Sequence, residues 1–362
     1  MVFQSARIPR PLEISSATRT LPPTRNSYGI HDNGGFMGIQ IHFDRFHDRI
    51  KLCREDSSYS RARELDDSIK KDISTAFRKA RHPLASDFIR GSFSTHTGIV
   101  PISGVHDIDR GLVLDTRSAP KNPVLPKKKA LAVLESRGLS NARIKRHCIT
   151  AYDASENIHI DLAIYQGFSG MYKLAKGKKY SNARNRKWSR DDPDGLVDWI
   201  NDDSDYGSER KEVLAQFRRL VRYLKRWRDV QFDEERAARI PSIGLTIMVK
   251  DQLRWSFGAG GHRQDLRALR KTVEAILNSR HFGGVSRGLI TLELCLPTRP
   301  WDVVFGKPWI AGEYLYRRLL HLRRGLAEAE GLIDERHQCM ILNKFFGSDF
   351  KAPTTMNLIP VR

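Results

Sequence analysis

GSFSTHTGIVPISGVHDIDRGLVLD, residues 91–115, is the stretch from which the rest of the chain can be read. Within it, Val105-His106-Asp107-Ile108-Asp109 and the apolar run to Leu114 have the composition of a strand. Residues i and i+2 of a strand share a face, so Asp107 and Asp109 are neighbours and Ile108 turns the other way, toward a core. Adjacent carboxylates repel each other, and a hard divalent ion such as Mg2+ relieves that repulsion while preferring oxygen ligands. A third carboxylate stands in Ile158-His159-Ile160-Asp161-Leu162-Ala163-Ile164, where Ile160, Leu162 and Ile164 occupy one face and Asp161 the other. If the two strands lie side by side, three aspartates meet on one patch. Asp is depleted in strands. Three such departures are better explained by a metal than by solvated turn aspartates.

Working outward, Gly91-Ser92 lies 16 residues before Asp107 and reads as a strand end that opens a turn. Glycine lets a backbone approach a ligand closely, and the N–H groups with the Ser92 and Ser94 hydroxyls suit phosphate oxygens. Such pairs are also ordinary in turns. Flanking strands are expected over 87–93, 105–114, 142–149 and 158–165, with a helix over 127–137. Leu65, Ile69, Ile73 and Phe77 form a four-residue ladder on one helix face, and Ile39, Phe43, Phe46 and Ile50 suggest another helix. Residues 166–207 form a long polar connection in which short helices are expected. Helices dominate from Ser208, with further ones at 264–277, 311–330 and 334–346. Strands followed by helices in blocks indicate an α+β fold. Residues 1–36, rich in Pro, Ser, Thr and Gly, read as a flexible extension, 37–205 as a catalytic lobe and 206–362 as a helical lobe.

At 362 residues the chain suits two packed lobes, and its 40% hydrophobic and 29% charged content is that of a globular protein. No apolar run approaches the roughly 20 residues of a membrane span. The N-terminal stretch lacks a secretory signal, so a cytoplasmic protein and a monomer are the expectations. Four scattered cysteines contain no C-x-x-C, which argues against a disulfide scaffold or a Cys-rich zinc site. The net charge of +20 favours polyanionic partners, although arginines on solvated helix faces would give the same sum.

The order of Gly91-Ser92, Asp107-x-Asp109 and then Asp161 resembles the DNA polymerase β-type nucleotidyltransferases. More narrowly, the chain is similar to the cGAS/DncV-like nucleotidyltransferases, the bacterial oligonucleotide cyclases of CBASS antiphage defence. Leu224-Lys225-Arg226-Trp227-Arg228-Asp229 resembles that family's Lys-x-Trp helix end, and Pro241-Ser242-Ile243-Gly244-Leu245 its Pro-Ser segment. Trp188-Ser189 before Asp192-Pro193, and Phe345-Phe346-Gly347 with Phe350, also fit. The resemblance spans about residues 39–352, with specificity confined to these short motifs.

The resemblance implies a polymerase β-like palm packed on a C-terminal helical lobe. It also implies synthesis of a cyclic di- or trinucleotide from NTPs, ATP or GTP, with pyrophosphate released. Asp107, Asp109 and Asp161 would hold two Mg2+ ions, for which Mn2+ could substitute, and Asp161 would serve the ion beside the attacking hydroxyl. Gly91, Ser92, Lys225 and Ser242 would bind the triphosphate, and a downstream effector would respond to the cyclic product. Without the resemblance, Lys225 is one cation among many and Ser242 could be a plain N-cap. His106 and His159 read as hydrogen-bonded histidines beside the site, and Trp199 and Trp227 as packing, with Tyr165 and Tyr172 weaker candidates for base stacking. The basic stretch 173–190 could line a phosphate groove or be a solvated loop. No His/Cys insertion comparable to that of the DNA-sensing animal relatives occurs, which favours an enzyme needing no nucleic-acid ligand. Transfer to RNA or protein without a template, or a non-catalytic nucleic-acid-binding scaffold, are the rival readings.

Overall fold

Period-2 alternation decides the architecture, because it gives each central strand one apolar face that must be covered. The computed structural model describes residues 35–53, 56–168, 170–286, 288–305 and 308–353. The expected N-terminal extension therefore lies outside the described residues, except for Gly35 and Phe36. The first part of the chain runs α1 (Gly35–Ile50), α2 (Ser57–Lys79), β1 (Leu84–Ile89), α3 (Gly91–Ser94), β2 (His106–Leu114), α4 (Val124–Ser136), β3 (Ser140–Ile144), β4 (Ile149–Asp153) and β5 (Ile158–Gln166). It continues with β6 (Lys173–Lys176), β7 (Lys187–Arg190), α5 (Pro193–Asn201), α6 (Arg210–Gln231), α7 (Glu234–Ala237) and α8 (Ser242–Gln252). The last elements are α9 (Asp265–Leu277), β8 (Gly284–Ser286), β9 (Leu289–Thr291), α10 (Pro308–Glu330) and α11 (Glu335–Phe346).

The main sheet has the order β1-β2-β5-β4-β3, with β6 paired to β5 and β7 to β6. Of its pairings, β2 with β5 is parallel and the others are antiparallel. Ile108, Leu112, Leu114, Ile158, Ile160, Leu162 and Ile164 face one way and are covered by Ile69, Ile73 and Phe77 of α2 and Ala130, Leu131 and Leu134 of α4. Burying such a side chain is worth about 1.5–3 kcal/mol, so this face fixes the strand parity. On the same face, Arg110 is held by Asp66 (Nε to Oδ1 2.7 Å) and by Asp87. Burial opposes its charge, but the Asp66 hydrogen bond and the carboxylates of Asp66, Asp87 and Asp67 raise its pKa. The opposite face changes character along β2: carboxylates come first, and then Val113 packs with Ala163, Tyr165, Tyr172 and Leu174.

Helices α6, α8, α9, α10 and α11 form a second core around Phe217, Leu220, Tyr223, Leu224 and Trp227. The α1 stripe of Ile39, Phe43, Phe46 and Ile50 is buried here too. Phe43 and Phe46 lie 5.0 and 5.1 Å from the Phe350 ring. The division at 205/206 is thus our proposal for the chain order, while α1 contributes its apolar stripe to the helical core. Two expectations are corrected. The strand expected over 142–149 is a hairpin, because Lys145-Arg146-His147 makes its turn between β3 and β4. The connection 166–207 holds the short helices expected of it, α5 among them, but its basic stretch 173–190 is mainly the β6/β7 hairpin rather than a solvated loop, with Leu174 and Ala175 buried.

Removing one partner of a buried ion pair costs about 3–5 kcal/mol. Asp66→Ala is therefore expected to lower the urea midpoint strongly, whereas Asp67→Ala, at a half-exposed partner of Arg110, should cost under about 1 kcal/mol. Equal midpoints for the two variants would show that Arg110 is not an anchor of the sheet.

Candidate active site

Parallel pairing places Asp109 opposite Asp161 and Asp107 opposite His159. All four side chains therefore share the face not covered by α2 and α4. The aspartates expected to converge do so at the level of the backbone. Asp107 is the outermost, with its side chain 73% exposed, and its Oδ1 lies 3.4 Å from His159 Nδ1. The other ring nitrogen of His159 is 2.8 Å from Thr150 Oγ1. The hydrogen bond to Asp107 leads the causes that raise the His159 pKa, against burial. Asp161 is held by Lys145, Nζ to Oδ1 3.5 Å. Asp109 is half-buried, next to the covered strand positions Ile108 and Arg110. Burial above all, with the Asp107 and Asp161 charges, raises its carboxyl to about 6 against the pull of Arg90.

Gly91 sits at φ +66°, and a Cβ there would overlap the Asp109 carboxylate. Only glycine meets both the left-handed backbone and this close approach. Its turn is the one-turn helix α3, with Ser94 Oγ donating to the Gly91 carbonyl at 2.9 Å and the Thr97 N–H to the Ser92 carbonyl at 3.0 Å. Lys225 of α6 reaches across to donate to the Thr97 carbonyl (2.9 Å) and hydroxyl (3.0 Å). Burial first, then Arg228 and Arg222, lowers the Lys225 amine to about 7. Ser242 opens α8, and its hydroxyl accepts from Arg228 at 2.8 Å. The Arg228 guanidinium is anchored by Asp229 and by the Ile240 carbonyl, 3.1 Å away.

One cavity gathers Ser92, Asp107, Lys225, Arg228, Asp229 and Ser242 on its walls. Gly91, Asp109 and Asp161 are not part of that wall. Gly91 abuts the Asp109 carboxylate, and Asp161 joins through the strand register. Among the described residues, no three His, Cys, Asp or Glu side chains close on a single ion position. Asp107 and Asp161 instead lean on His159 and Lys145. The donors nevertheless fit a hard divalent ion. They are carboxylate oxygens on one sheet face, and burial first, with the charges of its two neighbours, opposes ionisation of the middle one, an opposition that a cation would offset.

Residues 86–165 match the family model described as the nucleotidyltransferase domain of cyclic GMP-AMP synthase DncV-like proteins. A protein of Escherichia albertii named cyclic GMP-AMP synthase is 27% identical over 177 residues, 46% of this chain and 37% of its own length. The match thus covers well under two thirds of that relative. Among solved structures, a mutant of the Vibrio cholerae di-nucleotide cyclase DncV, in complex with ATP and GTP, superposes with a TM-score of 0.68 at 15% identity, covering 87% of this chain and 97% of that one. The Bradyrhizobium diazoefficiens CD-NTase CdnG, in complex with GTP, gives 0.63 at 15% identity over 86% and 96%. These likenesses point to the cGAS/DncV-like nucleotidyltransferases, with residues 86–165 as the matched nucleotidyltransferase domain. The solved structures share its fold, a mixed sheet with C-terminal helices.

Several residues of this site were not evident from the sequence. Lys145 lay inside an expected strand rather than in a turn at Asp161. Arg90 is half-buried: desolvation opposes its charge, but Tyr165, Asp109 and Asp191 raise its pKa. It passes over the Tyr165 ring at 5.6 Å. Tyr165 in turn donates to Asp191 at 2.9 Å, which makes Tyr165 packing rather than a base platform. The fully buried Lys127 donates to the carbonyls of Lys145 (2.7 Å), Arg146 (3.0 Å) and Gly177 (2.9 Å), and so fixes the turn that presents Lys145. Trp227 is buried against Phe232, as packing.

Gly91→Ala is expected to displace the Asp109 carboxylate and, with positive φ, to cost about 1–2 kcal/mol of stability. Retention of the wild-type melting temperature would contradict the close approach. The Lys225 amine gives a second test. Its folded pKa of about 7 lies below the ordinary 10.5, so burying the charge destabilises the fold fully below about pH 7. That penalty fades as pH rises from about 7 to about 10. Urea unfolding should show the stability difference between wild type and Lys225→Met shifting in favour of wild type over that window. A constant difference would rule the shift out.

Proposed function

We propose that this protein is a nucleotidyltransferase that joins NTPs into a cyclic oligonucleotide second messenger, acting in antiphage (CBASS) signalling. The observation that carries the reading is the β2/β5 register, which sets Asp107, Asp109 and Asp161 on one face beside the cavity of Ser92, Lys225 and Ser242. Supporting it are the matched family domain and the relative named as a cyclic GMP-AMP synthase. Structures of DncV and CdnG hold ATP or GTP.

In this reading Ser92, Lys225 and Ser242 grip the donor triphosphate, with Gly91 giving the backbone room to approach it. Lys225 changes role, because a phosphate oxygen supplies the counter-charge that its buried amine lacks. Asp107, Asp109 and Asp161 would hold two Mg2+ ions, and those ions, when bound, stabilise the attacking and leaving oxygens and lower the pKa of the attacking hydroxyl. Asp161 would serve the acceptor side and could take the hydroxyl proton. The ribose oxygen bonds to the α-phosphorus as the bond to pyrophosphate breaks. A second transfer, within the linear intermediate, closes the ring.

All four NTPs with Mg2+ should yield a phosphatase-resistant product and pyrophosphate, resolved by mass spectrometry. Asp107→Asn, Asp109→Asn and Asp161→Asn should each lower the rate by at least about 100-fold, since electrostatic stabilisation is the main catalytic contribution. Melting temperatures should stay within a few degrees of wild type. A linear product with a free 3′ end would refute cyclisation. Label on RNA or protein would instead identify a template-independent transferase, and no turnover with salt-sensitive nucleic-acid binding would identify a scaffold.

A further inference from the structure

A second cavity shares Leu52, Ser92 and Phe93 with the triphosphate pocket but otherwise has its own walls. Its polar walls are His47, Lys51, His96, Arg218, Arg219 and Arg222, and none of its wall residues is a carboxylate. Arg219 has a counter-charge elsewhere, in the buried Asp265 (Nε to Oδ2 2.7 Å). Arg222 does not. It is held by neutral acceptors: the Gly98 carbonyl at 3.1 Å, the His96 carbonyl at 2.5 Å and His47 Nε2 at 3.0 Å. Arg218 donates to Asn201 Oδ1 at 2.9 Å, while its buried Nε has no hydrogen-bond partner. Among the described residues, no carboxylate pairs with Lys51.

The surplus of positive charge shows in its neighbours. Burial first, then the charges of Arg218 and Arg219, lowers Arg222 to about 10. Burial with Arg222, Arg219 and Lys51 lowers His47 to about 3. Like charges packed at reduced dielectric repel strongly, and no acidic side chain on the wall offsets them. Guanidinium forks match phosphoryl oxygens in geometry and charge. Beside them, the Tyr59 and Phe93 rings meet edge to face at 5.1 Å, giving the cavity an apolar side.

We propose that this cavity is a binding site for a small phosphorylated anion, distinct from the triphosphate pocket, with phosphoryl oxygens on Arg218, Arg222 and Lys51. The site stands on its own geometry and does not depend on the cyclase reading. Arg222 grips the loop at His96 and Gly98, and Lys225 grips the same loop at Thr97, so the two pockets share a wall and a support.

Calorimetric titration of the full chain with inorganic tripolyphosphate, without divalent ions, tests this. Two binding events are expected. Arg218→Ala combined with Lys51→Ala should weaken one by at least about 10-fold, and Lys225→Met should weaken only the other. Ala215→Glu, which adds a carboxylate at an exposed helix position on the wall, should abolish the same event as the double variant; it covers the case in which the double variant unfolds. Repeating the titration with ATP separates the sources: tighter ATP binding at this site means a nucleotide, and equal binding means a free polyphosphate. The proposal is overturned if a single event is seen, lost in Lys225→Met and untouched in Ala215→Glu.

Discussion

Parallel registry between β2 and β5 is the constraint on which the site depends. Asp109 opposite Asp161 is a statement about backbone hydrogen bonds, and the apolar residues between the carboxylates hold it in place. Ile108, Ile160, Leu162 and Leu112 must all face α2 and α4, and a one-residue slip of either strand would expose that whole set. Hydrophobic burial on one face thus forces charge onto the other. Arg110 reinforces the parity, because it finds Asp66 only when it points toward α2.

How much of this was legible follows from what each residue reports locally. Alternation along 105–114 and 158–165 gave both strands and the facing of the aspartates, because period 2 is written in consecutive residues. Partnership of the two strands is not local; it became an expectation through three misplaced carboxylates. The β3/β4 hairpin was hidden, since Lys145-Arg146-His147 breaks the alternation without a Gly or Pro to mark a turn. The β6/β7 hairpin was hidden by its charge. Lys176 reads as a solvated residue but is buried against Asp302, 2.8 Å away and 126 positions downstream. Lys225 and Ser242 stood out only through the family resemblance. The structure adds the reason that they matter together, a cavity wall shared with Ser92 and Asp107.

Buried cations follow one logic across the molecule. Where a carboxylate is near, as with Arg219 and Asp265 or Arg110 and Asp66, the charge is settled and the residue is architecture. Lys127 is settled differently, by three carbonyls, and burial lowers its amine to about 8. Lys225 has, among the described residues, the carbonyl and hydroxyl of Thr97, and its pKa falls further, to about 7. A depressed amine in a cavity is a site waiting for negative charge, since an anion restores what desolvation removed. The net charge of +20 is therefore less informative than the few cations within it that lack counter-charges.

The carboxylate end obeys the mirror image of that rule. Asp109 carries a raised pKa of about 6, so in the ligand-free fold its ionised form is the costly one at neutral pH. His159 and Lys145 take up part of the outer carboxylates' charge, holding Asp107 and Asp161 apart from each other. Both contacts, at 3.4 and 3.5 Å, are long and partly solvated, the kind worth about 1 kcal/mol or less. A divalent cation entering between the aspartates, as we propose, would therefore displace little and relieve much.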